Sequence, residues 1–149
     1  MKTPFLFGKT VRSDHFTNRE QDVKRLKSNL ENGINTTLIS PRRWGKSSLV
    51  ERGAGRLKSS DTIVVTLDLF PIRNEEEFYT RFSTAVIKST SGKVEAWMGL
   101  AKKYLKQISP KFSFGADPIQ DFEMTLEWES VQKNSKEILA LPERIAKEK

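Results

Sequence analysis

The feature that most constrains the fold is a short apolar run followed by a glycine-containing loop and a helix-forming stretch. The run, 36–39, reads Thr-Thr-Leu-Ile and is bounded by turn-forming residues, which is typical of a buried central strand. The stretch from Lys46 can form a helix, although Gly53 and Gly55 each cost about 1 kcal/mol against Ala in a helix interior. A strand, a loop and a helix in this order indicate one unit of an α/β fold.

The loop has the spacing of a phosphate-binding loop, G-x-x-x-x-G-K-S/T, with Ser40 in place of the first Gly. In such a loop, successive amides and a helix N-terminus converge on phosphate oxygens. Gly45 lets the backbone approach closely, Lys46 would reach the β- and γ-phosphates, and Ser47 offers a hydroxyl to Mg²⁺. The residues predicted to hold the phosphates are Pro41, Arg42, Arg43, Trp44, Gly45, Lys46, Ser47 and Ser48, with Ser47 also the predicted metal ligand.

Two alternatives apply to this loop. A Gly-Lys-Ser triplet also occurs in ordinary helix-start turns, so the triplet carries weight only with its flanking strand and helix. Arg42 and Arg43 are either counter-charges for an anion or solvated loop residues, and solvation is the simpler interpretation.

The segments on either side extend the α/β pattern. Thr17 to Glu20 reads as a capping box that starts a helix near 18–31, which ends at Gly33. The run 62–70 is nearly continuously apolar and predicts a second buried strand. Asn74 then caps another helix. The alternation predicts an incomplete P-loop NTPase-like parallel sheet with flanking helices.

The chain changes character after residue 92. An amphipathic helix is predicted to end before Pro110, and alternating apolar residues on both sides of a turn at 115–118 predict a hairpin. The apolar face of the hairpin is predicted to pack on that helix; a docking surface is the alternative. We expect one domain over 1–149, divided into a nucleotide-binding core (1–92), a helix and hairpin insertion (93–130) and a C-terminal helix (131–149).

Composition narrows the class of protein. The chain has no Cys and no apolar run of 18 residues, so we expect a cytoplasmic protein without a membrane partner. Residues 1–60 hold 13 Lys and Arg against 5 Asp and Glu, which accounts for the net charge of +7 because the remainder is nearly balanced. The positive charge of residues 1–60 would attract nucleotide phosphates or nucleic acid. The alternative is that these residues form only a solvated basic surface.

Three segments together resemble a known family. The pattern Phe16-Thr17-Asn18-Arg19-Glu20, the loop with its flanks (38–49), and Val65-Thr66-Leu67-Asp68-Leu69-Phe70 resemble the prokaryotic or archaeal-type AAA-like ATPases related to the STAND class. The resemblance covers most of 5–90 and is most specific in the loop. It implies ATP and Mg²⁺ as cofactors, with Phe16, Arg19 and Glu20 beside the adenine and ribose. For Arg19 and Glu20 the alternative is a capping box with a solvated Arg.

The second half of an ATPase site is not recognisable in the sequence. Hydrolysis in this class needs an apolar strand that ends in paired acids, and Asp68 offers only one acid. Asp68 either senses Mg²⁺ or water, or closes its strand by bonding loop amides. We therefore expect an N-terminal part of an ATPase domain that binds ATP without catalytic residues for hydrolysis. Its unpaired strand edges suggest an oligomer or association with the rest of such a domain.

Two other functions remain open from the sequence. One is a basic nucleic-acid-binding module in which the loop is incidental. The other is a non-hydrolysing switch, in which nucleotide orders the 92–130 insertion for a protein partner.

Overall fold

The computed structural model describes residues 19–57, 62–106, 108, 113–114 and 124–148. The chain divides into two compact units, Met1–Val64 and Val65–Lys149. The division lies inside the segment 1–92 that the sequence assigned to one nucleotide-binding core. Among the described residues, no helix has the length and apolar composition needed to span a membrane.

The first unit is built on two packed helices, α1 (Glu20–Glu31) and α2 (Lys46–Gly55). Val23 and Leu26 of α1 pack against Leu49 of α2, and the half-buried Leu38 joins them. Helix α1 starts two residues later than predicted. It ends as predicted, because Gly33 adopts the left-handed conformation (φ 67°) that terminates a helix.

The second unit contains four helices and one short hairpin. The elements are α3 (Glu75–Thr90), α4 (Val94–Leu105), β1 (Ser113–Phe114), β2 (Met124–Thr125), α5 (Trp128–Leu139) and α6 (Leu141–Ala146). All four helices and β2 contribute to a single apolar core. Its buried members are Val86, Ile87, Ala101, Tyr104, Leu105, Ile108, Met124, Leu126, Val131, Ile138, Leu141 and Ile145.

Several local predictions for this unit are confirmed. The Asn74 side chain caps α3 by accepting from the amide of Glu77 at 2.8 Å. Strands β1 and β2 form an antiparallel hairpin with Phe114 opposite Met124. Met124 is buried in the apolar core, which agrees with the core-packing prediction for the hairpin, although the helix that β2 mainly contacts is α3 and not the predicted α4. Trp128 begins a helix instead of extending β2, and Pro142 lies in the first turn of α6, where its missing N–H costs little.

The predicted fold class is wrong. Helices make up 61% of the described residues, and the sheet found there is the antiparallel two-stranded hairpin. The runs 36–39 and 62–70 are predicted as buried parallel strands. In the described part of the chain neither forms a strand, although Thr62 forms an isolated β-bridge. Ile39 is 92% exposed and Leu69 is 61% exposed. Apolar, β-branched composition favours an extended backbone, but a strand forms only where a neighbouring segment accepts its hydrogen bonds.

Candidate functional site

The loop between residue 40 and α2 bends twice through left-handed conformations. Gly45 is the N-cap of α2, with φ 71° and ψ 26°. Arg43 has φ 69° and is the one non-glycine residue with positive φ in the described structure. A non-glycine residue held in this region costs on the order of 1–3 kcal/mol. Left-handed residues curve a backbone so that neighbouring amides can converge on an anion. The loop is therefore a compact turn and not an extended segment.

The Lys46 side chain folds back across the loop. Its Nζ donates to the carbonyl oxygen of Ser40 at 2.6 Å and to that of Pro41 at 3.1 Å. These bonds close a ring between the first residues of the loop and the first residue of α2. The ring keeps the loop curved, and it holds an ammonium group beside the helix N-terminus.

The N-terminus of α2 has no acidic residue nearby in its first turn that would repel an anion. Helices α1 and α3 carry two and three acidic residues in their first turns, whereas the first turn of α2 carries none. The amides of Gly45, Lys46 and Ser47 donate to no backbone carbonyl within the described chain. Amides at a helix N-terminus and the positive end of the helix dipole together attract negative charge.

The other predicted loop residues differ in exposure. Ser47 is exposed at the second position of α2, whereas Ser48 is buried. Pro41, Arg42 and Arg43 are exposed, and Trp44 is 67% exposed. The loop thus places cations and one aromatic ring in solvent around the α2 N-terminus.

The predicted contacts of 16–20 lie partly outside the described residues, since these exclude Phe16 and Thr17. The capping box is not supported, because α1 begins at Glu20 with Arg19 as its N-cap and without a side-chain cap bond. The Glu20 carboxylate instead accepts from Arg52 at 3.0 Å and Arg56 at 2.7 Å. The hydrogen bond from Arg56, more than any other contact, holds the pKa of Glu20 below its usual range.

Arg19 contacts the loop directly. Its Nη1 donates to the carbonyl oxygen of Trp44 at 2.9 Å, and its Nε donates to Asp22 at 2.8 Å. Arg19 therefore contacts the predicted phosphate loop, whereas the resemblance implies a place beside the adenine and ribose.

Asp68 has two possible roles from the sequence, and the described contact favours one of them. Its Oδ1 accepts a hydrogen bond from the amide of Phe70 at 3.0 Å. This is an Asx-type turn, in which a carboxylate satisfies a loop amide. Within the described residues, no group of three or more His, Asp or Glu side chains is arranged to hold a metal ion.

Sequence reasoning missed the arginines that anchor α2. Arg52 and Arg56 are four positions apart and therefore lie on one face of the helix. That spacing is readable from the sequence. Their shared partner Glu20 lies 32 and 36 residues away, and no local pattern predicts such a pairing.

Comparison with models of protein families, with curated protein sequences and with solved structures found no match for the chain.

Proposed function

We propose that this chain binds the phosphate groups of a nucleotide, ATP with Mg²⁺, at the loop from Ser40 to Ser48. The proposal is carried by the Lys46 ammonium, which is folded onto the carbonyls of Ser40 and Pro41 beside the amides of Gly45 and Ser47, which bond to no backbone carbonyl among the described residues. Phosphate oxygens are stronger acceptors for an ammonium group than neutral carbonyls are. A bound phosphate would therefore draw Lys46 from the carbonyls, and the α2 amides would donate to it.

The proposal depends only on the loop and α2. It does not require a parallel sheet, because the donors come from consecutive residues at a helix N-terminus. Ser47 supplies the hydroxyl for Mg²⁺, and the exposed Arg42 and Arg43 add positive charge around the loop. A cytoplasmic location agrees with the cysteine-free composition.

Isothermal titration of the whole chain with Mg-ATP and with inorganic triphosphate tests the proposal. Both ligands should bind, because the phosphates carry the recognition, and Lys46→Ala should weaken both at least tenfold. Lys24→Ala is the matched control, since Lys24 is an exposed cation of α1 in the same unit. Its binding should equal that of the wild type. No detectable heat up to millimolar ligand would reject nucleotide binding.

Two further measurements separate the roles within the loop. Omitting Mg²⁺ should weaken ATP binding in the wild type, and Ser47→Ala should remove most of this Mg²⁺ dependence.

If Lys24→Ala weakens ligand binding as much as Lys46→Ala does, the overall positive charge of the unit and not the loop is responsible for binding. A DNA or RNA affinity that falls linearly with log salt, with no nucleotide binding, would favour the nucleic-acid module instead.

A further inference from the structure

Arg19 is held between two acceptors at the start of α1. Its Nε donates to the Asp22 carboxylate at 2.8 Å, and its Nη1 donates to the Trp44 carbonyl at 2.9 Å. The bond to Asp22 orients the guanidinium group. In that orientation Nη1 reaches the carbonyl of Trp44, 25 residues further along the chain. Only a forked donor group can make both bonds with this geometry, so Lys would not replace Arg19 fully.

The bond to Trp44 has a consequence for Gly45. The Trp44 carbonyl and the Gly45 amide belong to one planar trans peptide group, in which C=O and N–H point in opposite directions. Holding the carbonyl oxygen against Arg19 therefore directs the Gly45 N–H away from Arg19. A Cβ built on Gly45 would point towards Arg19 Nη1, at 4.0 Å. Arg19 thus lies on the Cβ side of Gly45 and restrains the peptide that begins the α2 N-terminus.

The next residue anchors the body of α2 to the same turn of α1. The Glu20 carboxylate accepts from Arg52 in the second half of α2 and from Arg56, the C-cap residue of that helix. Helix α2 is therefore held through its C-terminal half by Glu20, while the peptide before its first residue is held by Arg19. The two contacts together fix the direction of the α2 N-terminus relative to α1.

We infer that Arg19 is a positioning residue, which aims the Gly45 amide at the bound phosphate through the Trp44 carbonyl and does not contact base or ribose. This inference rests on the proposed function, since Arg19 is assigned a role in the same phosphate site. It contrasts with the resemblance, which implies that Arg19 lies beside the adenine and ribose. The two assignments make different predictions for inorganic triphosphate, which has no nucleoside: only a positioning role makes its affinity depend on Arg19.

The test compares Mg-ATP with inorganic triphosphate in titrations of the wild type, Arg19→Gln and Arg25→Gln. Arg25 is an exposed arginine of α1, so R25Q removes the same charge without touching the loop. R19Q should weaken both ligands by the same factor, about tenfold, while R25Q leaves both unchanged. Arg19→Lys should recover part of the loss for both ligands, because an ammonium can still donate to the Trp44 carbonyl.

An NMR measurement shows whether the loss arises at Gly45. Triphosphate should shift the Gly45 amide proton downfield in the wild type and in R25Q, and the shift should be much smaller in R19Q at saturating ligand. Urea unfolding of R19Q in the absence of ligand identifies any loss that is due only to unfolding. A merely structural role would lower the stability but leave the Gly45 shift of the folded, saturated protein unchanged.

The outcomes are distinguishable. No binding of either ligand to the wild type overturns the proposed function and this inference together. Wild-type binding that R19Q leaves intact overturns the inference alone. A loss in R19Q for ATP but not for triphosphate also overturns it, and assigns Arg19 to the nucleoside instead.

Discussion

Gly53 of α2 lies against Leu26 of α1 so closely that a Cβ on Gly53 would be 2.9 Å from Leu26 Cδ2 and 3.3 Å from its Cγ. Leu26 is itself buried in the small core of the first unit. Glycine in a helix interior lowers helix propensity. At Gly53 the absence of a Cβ permits the close approach of the two helices. A Cβ on Gly55, two residues later, would meet no described atom within 4 Å.

This contrast predicts opposite effects of the same substitution at two positions of one helix. Gly53→Ala gains about 1 kcal/mol in propensity but loses about 1–3 kcal/mol through overpacking, so we expect it to lower the free energy of unfolding. Gly55→Ala should raise it by up to about 1 kcal/mol. Urea unfolding followed through the α2 amide signals measures both. Equal stabilisation by both variants would show that the Leu26 contact is not tight.

The N-cap of α3 predicts that stability depends on one side-chain oxygen, Oδ1 of Asn74. Asn74 Oδ1 accepts from the Glu77 amide, and replacing an Asn cap by Ala costs about 1 kcal/mol. We expect Asn74→Ala to lower the urea midpoint, while Asn74→Ser retains most of the stability because its hydroxyl can accept the same bond. If the two variants unfold at the same midpoint, the cap bond contributes nothing measurable.

Helix boundaries were largely predictable because their signals are local. The Asn74 cap and the left-handed Gly33 act within a few residues of themselves, so their sequence neighbours contain the needed information. The start of α1 was misplaced for the opposite reason. Glu20 was predicted to reach back to Thr17 in the capping box. Its carboxylate instead binds Arg52 of α2 and the C-cap residue Arg56, which only the packing of α1 on α2 brings near.

The strands were not predictable from composition, because a strand needs a neighbour that composition does not specify. The run 36–39 has the β-branched character of a buried strand, yet Ile39 is 92% exposed. The hairpin prediction was right in its pairing, since alternation on both sides of a nearby turn includes the partner. The phosphate loop lies between these cases: its spacing was readable, but the contact of Arg19 with Trp44 was not.

The ion pairs of Glu20 predict a dependence of stability on pH. Hydrogen bonds from Arg56 and Arg52 lower the pKa of Glu20 from its ordinary value of 4.5. A carboxyl whose folded pKa is lowered stabilises the fold above its unfolded pKa, and this contribution is lost as the pH falls through the folded pKa. The urea midpoints of the wild type and Glu20→Gln should therefore differ most at pH 7 and converge below about pH 4.5.

The control for this pH series is Glu51→Gln, because Glu51 is an exposed carboxylate of α2 that makes none of the described ion pairs. Its midpoint should stay close to that of the wild type at every pH. A gap between the wild type and Glu20→Gln that is constant from pH 7 to pH 3 would contradict a role for the Glu20 charge.

The exposure of Ile39 gives a direct test of the corrected fold class. In a central parallel strand, Ile39→Ala would cost about 2–5 kcal/mol, as truncation of a buried Ile does. With 92% of the residue exposed, we expect a change within about 0.5 kcal/mol. Ile87→Ala is the reference for a buried site, since Ile87 of α3 is fully buried, and it should cost the full amount because the surrounding side chains cannot fill the cavity. Urea unfolding of both variants measures the difference, and a cost at Ile39 comparable to that at Ile87 would mean that 36–39 is packed as a strand after all.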